Sequence, residues 1–153
     1  MRYLAFIIAA LTSAEMQAFG LAPRLVVNVT IDQLRTDYME AFYPLYGQGG
    51  FRRLMQQGLV YEGGRYPFTP VDRSSATATL SSGATPYLHG IVGTQWLDRA
   101  TLRPVNCVAD EKYSSSPQRL LTSTLGDELK MSSNGTAIVY SFSQDKESAI
   151  LSA

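Results

Sequence analysis

Short apolar runs alternate along the chain with stretches in which the apolar residues recur at helical spacing. The runs 25–31, 59–61 and 136–143 are rich in β-branched or aromatic residues, which is typical of strands. The run 25–31 is apolar on almost every position, as expected of a strand covered on both faces. The spacing predicts helices over 36–46, 50–57 and 74–82. This alternation predicts an α/β fold with a mostly parallel sheet.

The rest of the chain predicts smaller elements. Residues 95–99 and 103–108 are expected to form a hairpin around Ala100 and Thr101. Ser116 and Pro117 resemble a helix start, and the leucines from Leu120 to Leu129 form an apolar stripe behind them. The segment from Glu147 onward begins a further apolar element.

The first 18 residues have the pattern of a secretory signal peptide. Arg2 supplies the positive start, residues 3–11 are apolar, and small residues follow. The segment is too short to span a bilayer, which takes about 20 apolar residues. The alternative is a buried N-terminal helix or strand. We expect cleavage between residues 14 and 22, a mature domain over 24–153, a periplasmic or secreted protein, and no membrane partner after cleavage.

Charge and cysteine content exclude several classes of function. Thirteen acidic and thirteen basic side chains cancel, so no net field favours nucleic acid. A single cysteine, Cys107, can form neither an intramolecular disulfide nor a thiolate metal cluster. We therefore expect Cys107 to be a small, partly buried side chain in the strand-like run around it.

Asp32 directly follows the first predicted strand. Ligands of open α/β sheets bind beyond the carboxyl ends of the strands, so a carboxylate at this position could hold a metal ion. The alternative is that Asp32 caps the helix that follows.

A second group of polar residues, 72–75, lies where a loop rich in Gly and Pro leads into the small-residue helix. Free backbone N–H groups at such a start attract anions. A hydroxyl there could attack phosphorus or sulfur if a metal ion lowered its pKa. The alternative is that Asp72 or Ser74 only caps the helix. A two-metal site needs several nitrogen and carboxylate ligands, so we expect His89, the one histidine, to bond a turn.

The segments 27–38, 49–54, 82–86 and 89–93, in this order, resemble the N-terminal third of the alkaline phosphatase superfamily, in particular its type I phosphodiesterase/nucleotide pyrophosphatase branch. The resemblance implies a doubly wound α/β fold and two zinc ions, with Asp32 as a ligand of one. It places the family's Thr or Ser nucleophile sixteen residues before His89, where this chain has Arg73. It also places Thr94 where phosphatases of the branch have an asparagine that contacts the phosphoryl group.

Both departures affect the chemistry, because a guanidinium cannot act as a nucleophile. Either Ser74 has become the nucleophile or covalent catalysis has been lost. The family's other zinc ligands come from its C-terminal part, so the resemblance implies a truncated N-terminal portion of an exported phosphatase or phosphodiesterase, inactive alone, whose substrate is a small phosphate ester. In that protein Arg73 and Thr94 would bind the substrate. Two alternatives stay open: a non-catalytic relative in which Arg73 binds an anion, and a by-product without function.

Overall fold

The computed structural model describes residues 24–153, and the predicted signal peptide lies outside the described residues. The chain forms short helices and strands joined by extended segments. In order, they are α1 Thr36–Ala41, a 3₁₀ turn Tyr43–Leu45, α2 Gly50–Gln57, α3 Arg73–Ser82, α4 Pro86–His89, β1 Gln95–Leu97, β2 Pro104–Asn106, β3 Ala109–Asp110, β4 Ser114–Ser115, α5 Leu125–Ser132 and α6 Lys146–Leu151. Within residues 24–153 no helix is both long and apolar enough to cross a membrane.

Helix α3 is the centre of the packing and contacts α4, α5 and α6. Its small side chains allow the neighbouring helices to approach closely, and Ala78 at its middle is fully buried. The buried apolar side chains of the described part of the chain are Ala78, Ile91, Cys107, Val108 and Leu151. Burial raises the pKa of the Cys107 thiol, so this residue is a neutral core side chain; it lies in the turn after β2 and is more deeply buried than expected.

The sheets differ from the prediction. Strands β1 and β2 pair antiparallel with Trp96 opposite Val105, and β3 pairs antiparallel with β4. The hairpin around Ala100 is confirmed, but the described residues form no parallel, doubly wound sheet.

The segments predicted to form that sheet, 25–31, 59–61 and 136–143, are neither helix nor strand in the structure. Residues 25–31 are exposed throughout. In 136–143 the exposed side chains of Ile138, Tyr140 and Phe142 alternate with half-buried neighbours. The alternation in 136–143 is that of a strand, whereas 25–31 has none, and neither segment belongs to one of the two sheets formed within 24–153.

The bounds of two helices, α2 and α3, agree with the sequence prediction, and the start of α5 differs from it. Helix α2 has the predicted bounds, and α3 begins at Arg73 and ends at Ser82, followed by Gly83, whose φ of 68° favours glycine. The predicted helix start at Ser116 and Pro117 is wrong, because α5 begins only after Thr124. There the Thr124 hydroxyl accepts a hydrogen bond from the Asp127 N–H and the Asp127 carboxylate accepts from the Thr124 N–H. The Ser116 hydroxyl instead donates to Asp110.

Candidate functional site

Asp32 and the start of α3 lie next to each other, although they are distant in sequence. The chain turns at Gln33, which has a φ of 61°, and Asp32 Oδ2 accepts a hydrogen bond from Arg73 Nε at 2.9 Å. Each of the two side chains is 51% exposed. The carboxylate of Asp32 and the start of α3 are therefore neighbours in the structure. Metal ligation by Asp32 stays a prediction.

A second carboxylate, which the sequence analysis did not single out, faces the same guanidinium. Asp145 Oδ2 lies 3.6 Å from Arg73 Nη1. Asp145 follows the strand-like run 136–143 just as Asp32 follows 25–31, so the rule applied to Asp32 would have found it. The hydrogen bond and the charge of Asp32, followed by the charge of Asp145, raise the pKa of Arg73 above its ordinary value.

Asp145 also caps α6, and its own pKa reflects that role. Burial would raise the pKa of this carboxyl. Asp145 Oδ1 accepts a hydrogen bond from the Ser148 N–H at 2.8 Å, and the Ser143 hydroxyl and the charge of Arg73 also stabilise the carboxylate. These interactions outweigh burial and lower the pKa of Asp145 below its ordinary value. Asp145 is therefore ionised at neutral pH.

Asp72 organises the beginning of α3. Its Oδ1 accepts hydrogen bonds from the Ser74 N–H at 2.8 Å and from the Thr94 hydroxyl at 2.9 Å. Its own N–H donates to Ser75 Oγ at 3.0 Å, which completes a capping box. The capping alternative for Asp72 is therefore what the structure shows. The free N–H groups expected at this helix start are partly satisfied from within the chain.

Ser74 and Thr94 form a pair beneath the cleft surface. Their hydroxyl oxygens lie 2.9 Å apart, and Ser74 is only 1% exposed. Thr94 is half-buried and lines the cleft, whereas Ser74 is not among its lining residues. For Ser74 to act as a nucleophile its hydroxyl would have to leave Thr94 and turn outward.

An open cleft of about 490 Å³ collects the predicted residues Asp32, Arg73 and Thr94. Its other lining residues are Gln33, Val71, Asp72, Asp145 and Glu147. Four carboxyl groups thus surround a single guanidinium, so the cleft is acidic as a whole. An anion that enters it meets net repulsion unless another cation binds first.

The described residues do not make up a complete zinc site. No group of three or more His, Cys, Asp or Glu side chains between residues 24 and 153 is placed to hold a metal ion together. Zinc sites usually combine carboxylate with histidine or cysteine ligands, and the cleft offers carboxylates alone. Two of these carboxylates, Asp32 and Asp145, both face Arg73.

His89 is structural, as predicted. It is fully buried, its Nε2 pairs with Thr79 Oγ1 at 3.0 Å, and its Nδ1 accepts the Ile91 N–H at 3.1 Å. These bonds require the tautomer protonated on Nε2, which donates to Thr79. Burial lowers the pKa of His89, so the ring is neutral and has no free nitrogen for a metal ion.

The chain is similar in sequence to known phosphatases and phosphodiesterases. The family model for type I phosphodiesterase/nucleotide pyrophosphatase matches residues 26–144. Alkaline phosphatase PhoV of Synechococcus elongatus is 37% identical over 139 residues, which are 84% of this chain and 25% of that protein. Alkaline phosphatase PafA of Elizabethkingia meningoseptica is 30% identical over 142 residues, which are 86% of this chain and 26% of that protein.

The structure of this chain is also similar to that of a phosphatase whose sequence it resembles. The crystal structure of wild-type PafA superposes with a TM-score of 0.82 at 29% identity and covers 87% of this chain and 28% of the PafA chain. The match supports an α/β architecture like that of PafA, although the strand pairing within residues 24–153 consists of two hairpins. The chain spans about a quarter of the length of the curated relatives it matches.

Proposed function

We propose, since the chain belongs to the type I phosphodiesterase/nucleotide pyrophosphatase family, that it is the N-terminal portion of an exported, metal-dependent phosphoric ester hydrolase. The observation that carries the proposal is the pairing of Asp32 with Arg73 at the start of α3. The pairing supports a single cleft shared by the carboxylate that follows the predicted first strand and by the start of α3, the two features that such a site needs.

Each residue has a part in the proposal. Asp32 is the metal ligand that this portion contributes, and Arg73 and Thr94, which line the cleft, face the phosphoryl group of a small phosphate ester. A bound zinc ion would supply positive charge that stabilises the charge developing on the phosphoryl oxygens. Of these roles, that of Ser74 as the nucleophile has the least support, because the Ser74 hydroxyl is buried against Thr94.

The proposal includes inactivity of the 153-residue chain on its own. Arg73 occupies the position of the expected nucleophile, and a guanidinium has no lone pair available for attack on phosphorus. Between residues 24 and 153 the cleft also lacks a complete set of metal ligands. Both requirements of hydrolysis, a nucleophile and a metal centre, are therefore unmet within the described part of the chain.

The anion-binding alternative has less support from the geometry. Arg73 already pairs with Asp32 at 2.9 Å and faces Asp145, and two further carboxyl groups line the cleft. A phosphate would have to separate the guanidinium from these partners and overcome their repulsion.

Two assays test the proposal. The first measures hydrolysis of p-nitrophenyl phosphate and bis(p-nitrophenyl) phosphate by the 153-residue chain with added zinc, and we expect no turnover above the protein-free blank. Zinc-dependent turnover that Asp32→Ala abolishes would contradict inactivity. The second follows the coding sequence beyond codon 153. We expect a continuation with Asp and His codons, and a longer protein that hydrolyses either ester and loses this activity in Asp32→Ala. A longer protein inert toward both esters would refute the proposal.

A further inference from the structure

We infer that the 153-residue chain pairs with a second copy of itself, and that segment 137–142 of one copy adds to the same segment of the other. The inference concerns association of this chain and does not rest on the proposed function.

The first support is the alternation of exposure along the segment. The side chains of 137, 139 and 141 are half-buried, whereas Ile138, Tyr140 and Phe142 are 74%, 78% and 90% exposed. This period of two is that of a strand that rests one face on its own chain and presents the other outward. The outward face is a continuous apolar row, in which the rings of Tyr140 and Phe142 stack with centroids 6.4 Å apart. An exposed apolar row of this kind marks a contact surface.

The second support is the backbone of the same segment. Within the described part of the chain, no backbone N–H or C=O group of 138–143 forms a hydrogen bond with another backbone group. Unpaired groups along an exposed row are the template on which another strand adds. The segment therefore offers both main-chain hydrogen bonds and apolar contacts to an added strand.

The third support identifies the occupant. No charged residue occurs between Lys130 and Asp145, and this stretch also contains no proline. Edges that remain single usually carry lysine or proline, and like charges opposite each other would oppose pairing of identical strands. Short segments that are rich in β-branched and aromatic residues and free of charge and proline pair readily with their own copies. A charged partner would find no complementary charge here.

The size of the contact fits a weak dimer. A two-fold axis near Tyr140 places the two apolar rows antiparallel, and such a contact closes after two copies. Segment 25–31 extends the surface, because Asp32, which follows it, and Asp145 both face Arg73. At roughly 100 Å² for each exposed apolar side chain of the two segments, one copy contributes on the order of 600 Å². A standard interface buries about 800 Å² per partner, so we expect dissociation in the micromolar range.

Sedimentation equilibrium of the 153-residue chain tests the inference. We expect the average mass to rise from 16.8 kDa toward twice this value between about 1 and 100 µM. Tyr140→Lys places like charges opposite each other across the two-fold axis and should weaken dimerisation about tenfold or more. Tyr87→Lys is the matched control, since Tyr87 is 93% exposed on α4 and lies outside the segment. A chain that stays monomeric, or equal effects of the two substitutions, would overturn the inference.

A pair of variants with opposite charges tests whether the segment meets its own copy. Tyr140→Lys and Tyr140→Asp should each be monomeric at a concentration where their equal mixture forms dimers, because opposite charges then face each other. Position 140 is largely exposed, so neither substitution alters the core. A mixture that stays monomeric would overturn pairing of the segment with itself.

Hydrogen exchange distinguishes a second copy from other occupants. Alternate amides of 138–143 should be protected at about 100 µM and lose this protection on dilution to about 1 µM. Protection that persists on dilution would show that another part of the same chain covers the segment. Rapid exchange at both concentrations would show that any association occurs elsewhere. Either result would overturn the inference.

Discussion

The hydroxyl oxygens of Ser74 and Thr94 lie 2.9 Å apart, and Thr94 in turn donates to the Asp72 carboxylate. This chain of three polar side chains joins the start of α3 to the residue that precedes β1. Because Ser74 is 1% exposed, its hydroxyl is satisfied inside the protein and does not depend on solvent. The pair is therefore an internal tie between two elements of the site.

Removing this tie should lower stability. Ser74→Ala deletes a buried hydroxyl that pairs with Thr94, and we expect the free energy of unfolding to fall by about 1 kcal/mol in urea denaturation followed by circular dichroism. A double-mutant cycle with Thr94→Val should show a coupling of about 0.5–1.5 kcal/mol, since the two groups are in contact. Additive effects of the two substitutions would contradict a direct bond between them.

Asp72→Ala should destabilise the chain more than Asp72→Asn. The carboxylate oxygen accepts from the Ser74 N–H and from the Thr94 hydroxyl, and an asparagine side chain keeps one acceptor oxygen. Loss of an N-cap costs about 0.5–2 kcal/mol, so we expect Asp72→Ala to reach the upper part of this range and Asp72→Asn to remain near its lower end. Equal urea midpoints for the two variants would show that Asp72 does not act as the cap.

Local signals predicted the individual elements better than they predicted the sheet. Helix α2 ends before a glycine and α3 follows a capping aspartate, so both were evident from short stretches of sequence. The prediction of a helix start at Ser116 was wrong because the reciprocal hydrogen bonds of Thr124 and Asp127 define a later start. The parallel sheet depends on pairing between distant segments, and periodicity within one segment does not reveal its partner.

The site was predictable to a similar extent. A rule about acids at strand ends indicated Asp32, and applied consistently it indicates Asp145 as well. The closeness of Arg73 to both acids could not be derived from spacing alone, because it depends on how the helix start faces the two extended segments. The burial of Ser74 was equally inaccessible, since neighbouring positions of a helix start point in different directions.

The neutral, buried state of His89 predicts a dependence of stability on pH. The pKa of His89 in the folded chain lies below its ordinary value of 6.5, so the unfolded chain binds more protons between these two pKa values. The stabilising contribution is therefore fully present above pH 6.5 and is lost as the pH falls from 6.5 through the folded pKa.

Urea denaturation at a series of pH values from 7.5 to about 5 measures this effect. His89→Gln is the control, because the amide can still donate toward Thr79 but does not titrate. Since the chain contains one histidine, the slope of stability against pH in this range should flatten in His89→Gln. An unchanged slope would mean that the imidazole titrates normally, against its complete burial.

Leu151 should be among the most sensitive positions of the apolar core. It is fully buried on α6, and α6 packs against α3, the helix that carries Arg73 and Ser74. Leu151→Ala removes buried methyl groups and leaves a cavity, so we expect the free energy of unfolding to fall by about 2–4 kcal/mol in urea denaturation. Leu59→Ala is the matched control, because Leu59 is 79% exposed, and its change should stay within about 0.5 kcal/mol. Since Asp145 caps α6 and faces Arg73, loosening of this helix should also separate Asp145 from the guanidinium. A Leu151→Ala variant as stable as Leu59→Ala would show that α6 does not pack on α3 in solution, and Asp145 would then not be held beside Arg73.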